Sequence, residues 1–304
     1  MSGKAKHTKK TVANAKLPII FILDMDQTLI GQSSTYGSCI DLVKFVRECC
    51  KSKKIESTSC PKAITYADMV KPDFFRVGLK DMLTGIRETY PTAELFVYSA
   101  GAKLYVESMI PVIEKHVGMT FNRPLFTRDD CVVNESNNYT KSIMVHIDTM
   151  LRSLAHKYPK LEAHRDAMLQ SRIVFVDDVD IVWDIKEKWV KCPEYGYTPV
   201  VDLTHHIADM VIRRHPLVTA HIEKNRQFFK EPEGVTSDER DMAYHLYMAD
   251  WHRSQYMKNK ASLEDGFCKA FVKAIKPFKK LAHPFSNANI GKINASLNGP
   301  QVTK

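Results

Sequence analysis

Two pairs of acids in this 304-residue chain stand where apolar runs end. Asp24 and Asp26, separated by Met25 and followed by Thr28, come directly after Pro18-Ile19-Ile20-Phe21-Ile22-Leu23. Asp177-Asp178 comes directly after Ile173-Val174-Phe175-Val176. Acids this close repel each other and resist burial unless a cation or a shared proton accompanies them. Taken singly, the first pair also reads as an acidic turn, and the second as a helix N-cap before Ile181. Two strands ending alike point instead to four acids around one place, a hard-oxygen site suited to Mg2+.

A third stretch offers an anion site. Leu95-Phe96-Val97-Tyr98 ends in Ser99-Ala100-Gly101, and a helical pattern through Leu104, Tyr105, Met109 and Ile110 follows at once. Backbone N–H groups at such a junction can hold phosphate oxygens while a serine hydroxyl adds a hydrogen bond. The same Ser99 would also serve as a plain N-cap. Lys141 is one of many lysines, and by its type alone belongs on the surface.

The elements that must position these groups follow from apolar periodicity. Unbroken apolar runs are the mark of strands buried on both faces of a parallel sheet, whose ligands bind at the strands' carboxyl ends. Helical spacing marks Asp41 to Cys50 and Phe75 to Tyr90, the latter with Leu79, Met82, Leu83 and Ile86 on one face. Short strand pieces are expected at Pro124-Leu125-Phe126 and Cys131-Val132-Val133, and a helical stretch from Lys141 to about Tyr158.

Composition narrows the class. The length suits one large or two ordinary domains, and no apolar run approaches the roughly 20 residues a bilayer demands. Residues 1–16 carry five Lys and no acid, without the apolar region of a signal sequence, so an intracellular protein, nuclear or cytoplasmic and not secreted, is expected. Seven cysteines, with no C-x-x-C among them, fit reduced thiols better than disulfides or zinc. Residues 266–304 carry seven Lys and no acid, so the two ends hold more than the whole net charge of +9. Basic arms of this kind attract nucleic acid or acidic partners, or act only as solvated tails.

In combination these stretches resemble a family. The chain is similar to the haloacid dehalogenase superfamily, in particular its FCP/SCP-type RNA polymerase II CTD phosphatase branch. Asp24-Met25-Asp26-Gln27-Thr28 matches its D-x-D-x-T signature. Phe75-Arg76-Val77-Gly78-Leu79 resembles its R-P-G-L segment, with Val77 for proline. Val97-Tyr98-Ser99-Ala100 through Tyr105 resembles V-Y-T-A-x-x-x-x-Y, and Leu125-Phe126-Thr127-Arg128-Asp129-Asp130-Cys131 resembles L-F-R-x-x-C with one residue added. Tyr139-Thr140-Lys141 resembles Y-x-K, and Asp177-Asp178-Val179-Asp180-Ile181-Val182-Trp183 resembles D-D-R-x-D-V-W, with Val179 for arginine. The likeness covers roughly residues 17–203.

The resemblance implies a Rossmann-like α/β core with a central parallel sheet; the short connections after Asp24 and between Ser99 and Lys141 leave no obvious large cap domain, and apolar spacing beyond the likeness suggests a helical C-terminal extension. It implies a Mg2+-dependent protein serine/threonine phosphatase working through an aspartyl phosphate on Asp24, with Asp26 as acid and base. Ser99, Ala100, Lys141 and Thr28 would hold the phosphate, and Asp24, Asp26, Asp177 and Asp178 the metal. The substrate would be a CTD-like or other phosphoserine protein. Relatives also occur in large DNA viruses, where a basic packaging protein would be the substrate. The competing readings are a phosphatase of nucleic-acid ends or small phosphomonoesters, and a catalytically weak binding or structural protein.

The expected organisation is a basic disordered arm at 1–16, a catalytic domain at 17–203, a helical extension at 204–280 and a flexible basic tail at 281–304. Within the extension, Leu203, Ile207, Met210 and Val211 suggest a helix, while the neighbouring His205-His206 would point in different directions on it. Leu263, Phe267, Phe271 and Ile275 form an amphipathic stripe, with Ser262 as the expected N-cap and Pro277 as the stop. Packing of that stripe onto the catalytic body is favoured over a partner-binding helix.

Overall fold

The computed structural model describes residues 17–32, 71–182, 184–198 and 236–298, with scattered residues of 40–68 and residues 223 and 234. The expected arm at 1–16, much of the expected helix 41–50, Trp183, the expected helix from Leu203 and His205-His206 lie outside the described residues.

The apolar runs form the strands expected of them. β1 (Ile19–Leu23), β2 (Ala93–Val97) and β5 (Ile173–Asp177) are buried along their whole length. With β6 (Trp189–Lys191) they make a parallel sheet in the order β2-β1-β5-β6. Leu23 pairs with Val97 on one side and with Val176 on the other, so β2, β1 and β5 end nearly level. The chain leaves β1 toward β2 and returns past β1 to β5, which makes the β1–β5 crevice the switch point of the sheet. Asp24 and Asp177-Asp178 stand there.

Alternation along the strands divides the core into two layers. Phe21, Leu23, Leu95, Val97, Val174 and Val176 face α1 (Leu79–Thr89) and α2 (Lys103–Val117). Ile20, Ile22, Phe96 and Phe175 face α3 (Ile143–Ser153) and α4 (Arg165–Ser171). Helix α1 buries the expected Leu79, Met82, Leu83 and Ile86, but it starts at Leu79 rather than Phe75. Gly78, at φ 76°, takes the left-handed turn that admits the chain to the helix, and Phe75 instead bridges Ile30. The expected strand pieces become a bridge from Phe126 to Tyr98 and a small hairpin of β3 (Val132–Val133) and β4 (Tyr139–Thr140).

The C-terminal segment is helical and packs its apolar stripe onto the catalytic body through Phe267, Phe271 and Ile275 as expected, but its boundaries differ. A long helix α5 (Ser237–Ser262) ends at Ser262, so that residue is no N-cap; Gly266 precedes α6 (Phe267–Ile275). Phe271 of α6 is fully buried and meets Phe21 of β1 edge-on at 6.4 Å. Gly85 of α1 lets the two helices touch, since a Cβ there would lie 2.8 Å from Val272 Cγ1. The expected flexible tail from 281 is instead ordered around α7 (Asn287–Asn298), with Ile290 and Ile293 buried. Its anchor is Phe285, which is fully buried 5.4 Å from Phe21 and 5.2 Å from Tyr90, ring to ring. Burying such side chains stabilises by about 1.5–3 kcal/mol each, which outweighs the Asn- and Gly-rich composition around them.

Candidate active site

The ends of β1, β2 and β5 open into a cavity of about 410 Å3 lined by Asp24, Asp26, Ser99, Ala100, Lys141, Asp177 and Asp178, together with residues the sequence did not single out. Four separate stretches of sequence therefore meet in one place. Among the described residues, Asp24, Asp177 and Asp178 each bring a carboxylate oxygen within 4.8 Å of the others.

Lys141 is the surprise of type and place, a lysine with no exposed surface. Its amine donates to Asp24 Oδ1 at 2.5 Å and to Asp177 Oδ2 at 2.7 Å. The backbone sets this reach: Lys141 N–H donates to Ile181 O, and the residue bridges Val182 alongside. Immediately after it, Ser142 and the first N–H groups of α3 are gathered by the Asp184 carboxylate, which accepts from Ser142 Oγ at 2.6 Å, Ile143 N at 3.0 Å and Met144 N at 3.0 Å. An acid at a helix N-terminus is favoured by the helix dipole, and here it also fixes where the lysine begins.

The second strand end is equally fixed. Asp177 Oδ1 accepts from Val179 N at 2.8 Å, and the Asp177 carbonyl accepts from Trp189 Nε1 and Cys192 N. No helix follows directly among the described residues, so the N-cap reading of this pair gives way to the cluster. Thr28 stands apart from the phosphate-binding role expected of it. It is buried beneath the cavity rather than lining it, and donates to Asp178 Oδ1 at 3.2 Å. Asp26 sits nearer the lip, where the Tyr105 hydroxyl donates to its Oδ1 at 2.8 Å. Ser99 is buried, and its Oγ accepts from Gly101 N at 3.0 Å. That contact leaves the hydroxyl proton available to a bound oxyanion.

The electrostatics follow from one lysine among several acids. Burial lowers the Lys141 pKa, but Asp24 and Asp177 outweigh it and hold the amine above its ordinary range. Burial pushes the Asp24 carboxyl well above the ordinary range; Lys141 opposes this and Asp177 adds to it. Asp178 is pushed up to about 6, by burial and then by Asp177. Burial raises both carboxyls and the neighbouring acid adds to it, so a cation bound among them would favour their ionised forms.

The donors suit a hard divalent ion. All are carboxylate oxygens, and the buried Cys192 thiol, 3.4 Å from Thr28 Oγ1, is pushed up to about 12 by burial, which disfavours the thiolate a soft metal would need. Mg2+ prefers oxygen ligands supplied by one or two carboxylates plus substrate phosphate. Asp24 and Asp178 are the residues that would hold it, with Asp177 alongside.

Several functional contacts escape a reading of the sequence. Tyr105 carries a signal, because it closes the V-Y-T-A-x-x-x-x-Y likeness. Arg128, which also lines the cavity, donates to Ala100 O at 2.8 Å, and Asp184 carries no local sign of its position.

A parallel sheet with an acidic cluster and a buried lysine at its switch point defines an α/β protein with hard-oxygen donors gathered at one strand edge. The chain belongs to the NLI interacting factor-like phosphatases, whose family model matches residues 19–204. It is 27% identical over 200 residues to an RNA polymerase II C-terminal domain phosphatase of Encephalitozoon cuniculi, a match covering 66% of this chain. The match spans only 38% of that relative's length. Among solved structures, it aligns with Fcp1, an RNA polymerase II CTD phosphatase, at 17% identity and a TM-score of 0.30, covering 82% of this chain and 67% of that one. A fission yeast Fcp1 bound to beryllium fluoride aligns at 15% identity and a TM-score of 0.28, with the same 82% and 67% covered. Among the described residues, no helix is long and apolar enough to cross a membrane.

Proposed function

We propose that this chain is a Mg2+-dependent phosphatase of phosphoserine or phosphothreonine in protein, working through an aspartyl phosphate on Asp24. The observation that carries the reading is Asp24 itself, at the floor of an open cavity, held by Lys141 at 2.5 Å and neighboured by Asp177 and Asp178.

The chain's own residues divide the work. An Asp24 oxygen attacks phosphorus as the ester oxygen leaves on the opposite side, so one P–O bond forms and one breaks. Asp26, oriented by Tyr105, gives its proton to the departing alkoxide. It then takes a proton from the water that attacks phosphorus, which releases inorganic phosphate and restores Asp24. Lys141 and the Ser99 hydroxyl hold the equatorial oxygens, where the transition-state charge lies. Mg2+, when bound, neutralises the phosphate so that an anionic nucleophile can approach it.

Substrate size follows from access. Between Ser99 and Lys141 the chain contributes only α2 and the β3–β4 hairpin with their connections, and Asp26 is partly exposed at the lip. A side chain presented on a polypeptide can enter such an opening.

The test is Asp24→Asn on phosphopeptides and on an aryl phosphate, with Mg2+. The expected result is loss of turnover with the fold preserved and no alkali-labile, hydroxylamine-sensitive phosphoryl protein trapped. Retained activity in the variant rules the mechanism out. A wild-type protein that hydrolyses 3′-phosphorylated DNA and ignores phosphopeptides would overturn the substrate class.

A further inference from the structure

We propose that Asp265, which lies beyond the segment matched by the family, is a positioning residue for the catalytic loop and acts through Arg76. The consequence for turnover rests on the phosphatase reading above; the geometry does not.

Arg76 is completely buried, and its guanidinium is used on every side. Nη1 donates to Gln27 O at 3.2 Å and to Thr28 O at 3.0 Å, and Nη2 donates to Pro193 O at 2.6 Å. Nε donates to Asp265 Oδ2 at 2.6 Å. Its carbon centre lies 4.7 Å from the Phe267 ring centroid. The planar fork thus grips two consecutive carbonyls of the loop that carries Asp26 and Thr28, a task no flexible ammonium can reproduce.

That loop needs gripping. Gln27 adopts φ 59°, a left-handed conformation that costs a side-chain-bearing residue about 1–3 kcal/mol unless its surroundings over-determine it. Besides Arg76, Tyr195 N also donates to the Gln27 carbonyl, at 2.8 Å. Asp26 precedes this turn and presents its carboxylate to the cavity, while Thr28 follows it and supports Asp178. One clamp therefore sets both the acid–base group and a support of the metal-binding cluster.

Asp265 anchors the clamp from the other end. Its Oδ1 accepts from Phe267 N at 2.8 Å, which fastens the carboxylate to the first residue of α6, and α6 is held in the core by Phe271 and by Tyr90, whose hydroxyl donates to Ile275 O at 2.9 Å. Without the carboxylate, a buried cation faces only carbonyls and is free to settle elsewhere. A displacement of about 1 Å at a reacting group is enough to cost roughly 100-fold in rate.

The full chain and its Asp265→Asn, Asp265→Glu and Arg76→Lys variants are compared by steady-state hydrolysis of p-nitrophenyl phosphate with Mg2+, and by hydrogen exchange across residues 24–30. In Asp265→Asn, kcat is expected to fall about 10- to 100-fold while KM stays within about twofold. Exchange in the loop should quicken with β1 unchanged, and Asp265→Glu should recover part of both. Arg76→Lys, which keeps the charge and loses the fork, should show the same pair of effects even if Asp265→Asn does not fold. Wild-type kcat and wild-type loop protection in either folded variant overturn the proposal, as does a loss of rate that only tracks the unfolded fraction. If the wild-type protein hydrolyses no phosphate ester, the phosphatase reading falls by itself, and loop exchange alone then decides the clamp.

Discussion

Tyr105, on the first turn of α2, donates its hydroxyl to Asp26 Oδ1 at 2.8 Å and so ties the helix that follows Ser99 to the loop that follows β1. The contact joins two residues far apart in the chain at the lip of the cavity, where a leaving group would be protonated. It gives Asp26 a fixed direction without closing the entrance.

Tyr105→Phe should therefore lower kcat about 10-fold, the loss expected for one hydrogen bond to a charged group. KM and thermal stability should change little, because the ring and its packing remain. Steady-state kinetics beside a melting curve make the measurement. A variant with full kcat removes Tyr105 from the orientation of Asp26.

Mg2+ should stabilise the folded chain even without substrate. The unfolded chain does not assemble Asp24, Asp177 and Asp178, so binding adds about 2.7 kcal/mol at one hundred times the dissociation constant. Calorimetric melting in Mg2+ against a chelator should show the rise, and Asp178→Asn should abolish most of it. Equal melting temperatures in the two buffers would mean the acids share protons rather than a cation.

Phe285→Ala should destabilise the protein by about 3–5 kcal/mol, as truncation of a fully buried aromatic residue does. Urea unfolding of the full chain reads this directly. A change below about 1 kcal/mol would be that of a surface position and would show that the segment carrying α7 adds little to the core.

The parts of this molecule that can be read from its residues are those with a local pattern. The runs at Ile19–Leu23 and Ile173–Val176 are apolar on both faces, and only a parallel sheet covered on both sides has room for that. Ending each in acids is enough to bring Asp24 and Asp177-Asp178 together. Lys141 is legible only by resemblance, because a buried lysine and a surface lysine look alike in sequence. Arg76 stands in the R-P-G-L likeness without a sign of what it holds, and Asp184 and Asp265 act across long stretches of chain through contacts that leave no trace in residue type. The C-terminal segment misleads for a related reason. Its Asn, Ser and Gly read as loose chain, whereas single aromatic residues such as Phe285 decide its place.

The meeting of Phe21 with Phe271 and Phe285 has a consequence for biosynthesis. Strand β1 is translated well before two of the aromatic rings that cover it, which belong to segments about 250 residues further along the chain. Until those segments emerge, one side of the first strand stays wet and sticky, an invitation to chaperones and to self-association. Premature termination between β5 and α6 would release a polypeptide bearing Asp24 on an unshielded sheet.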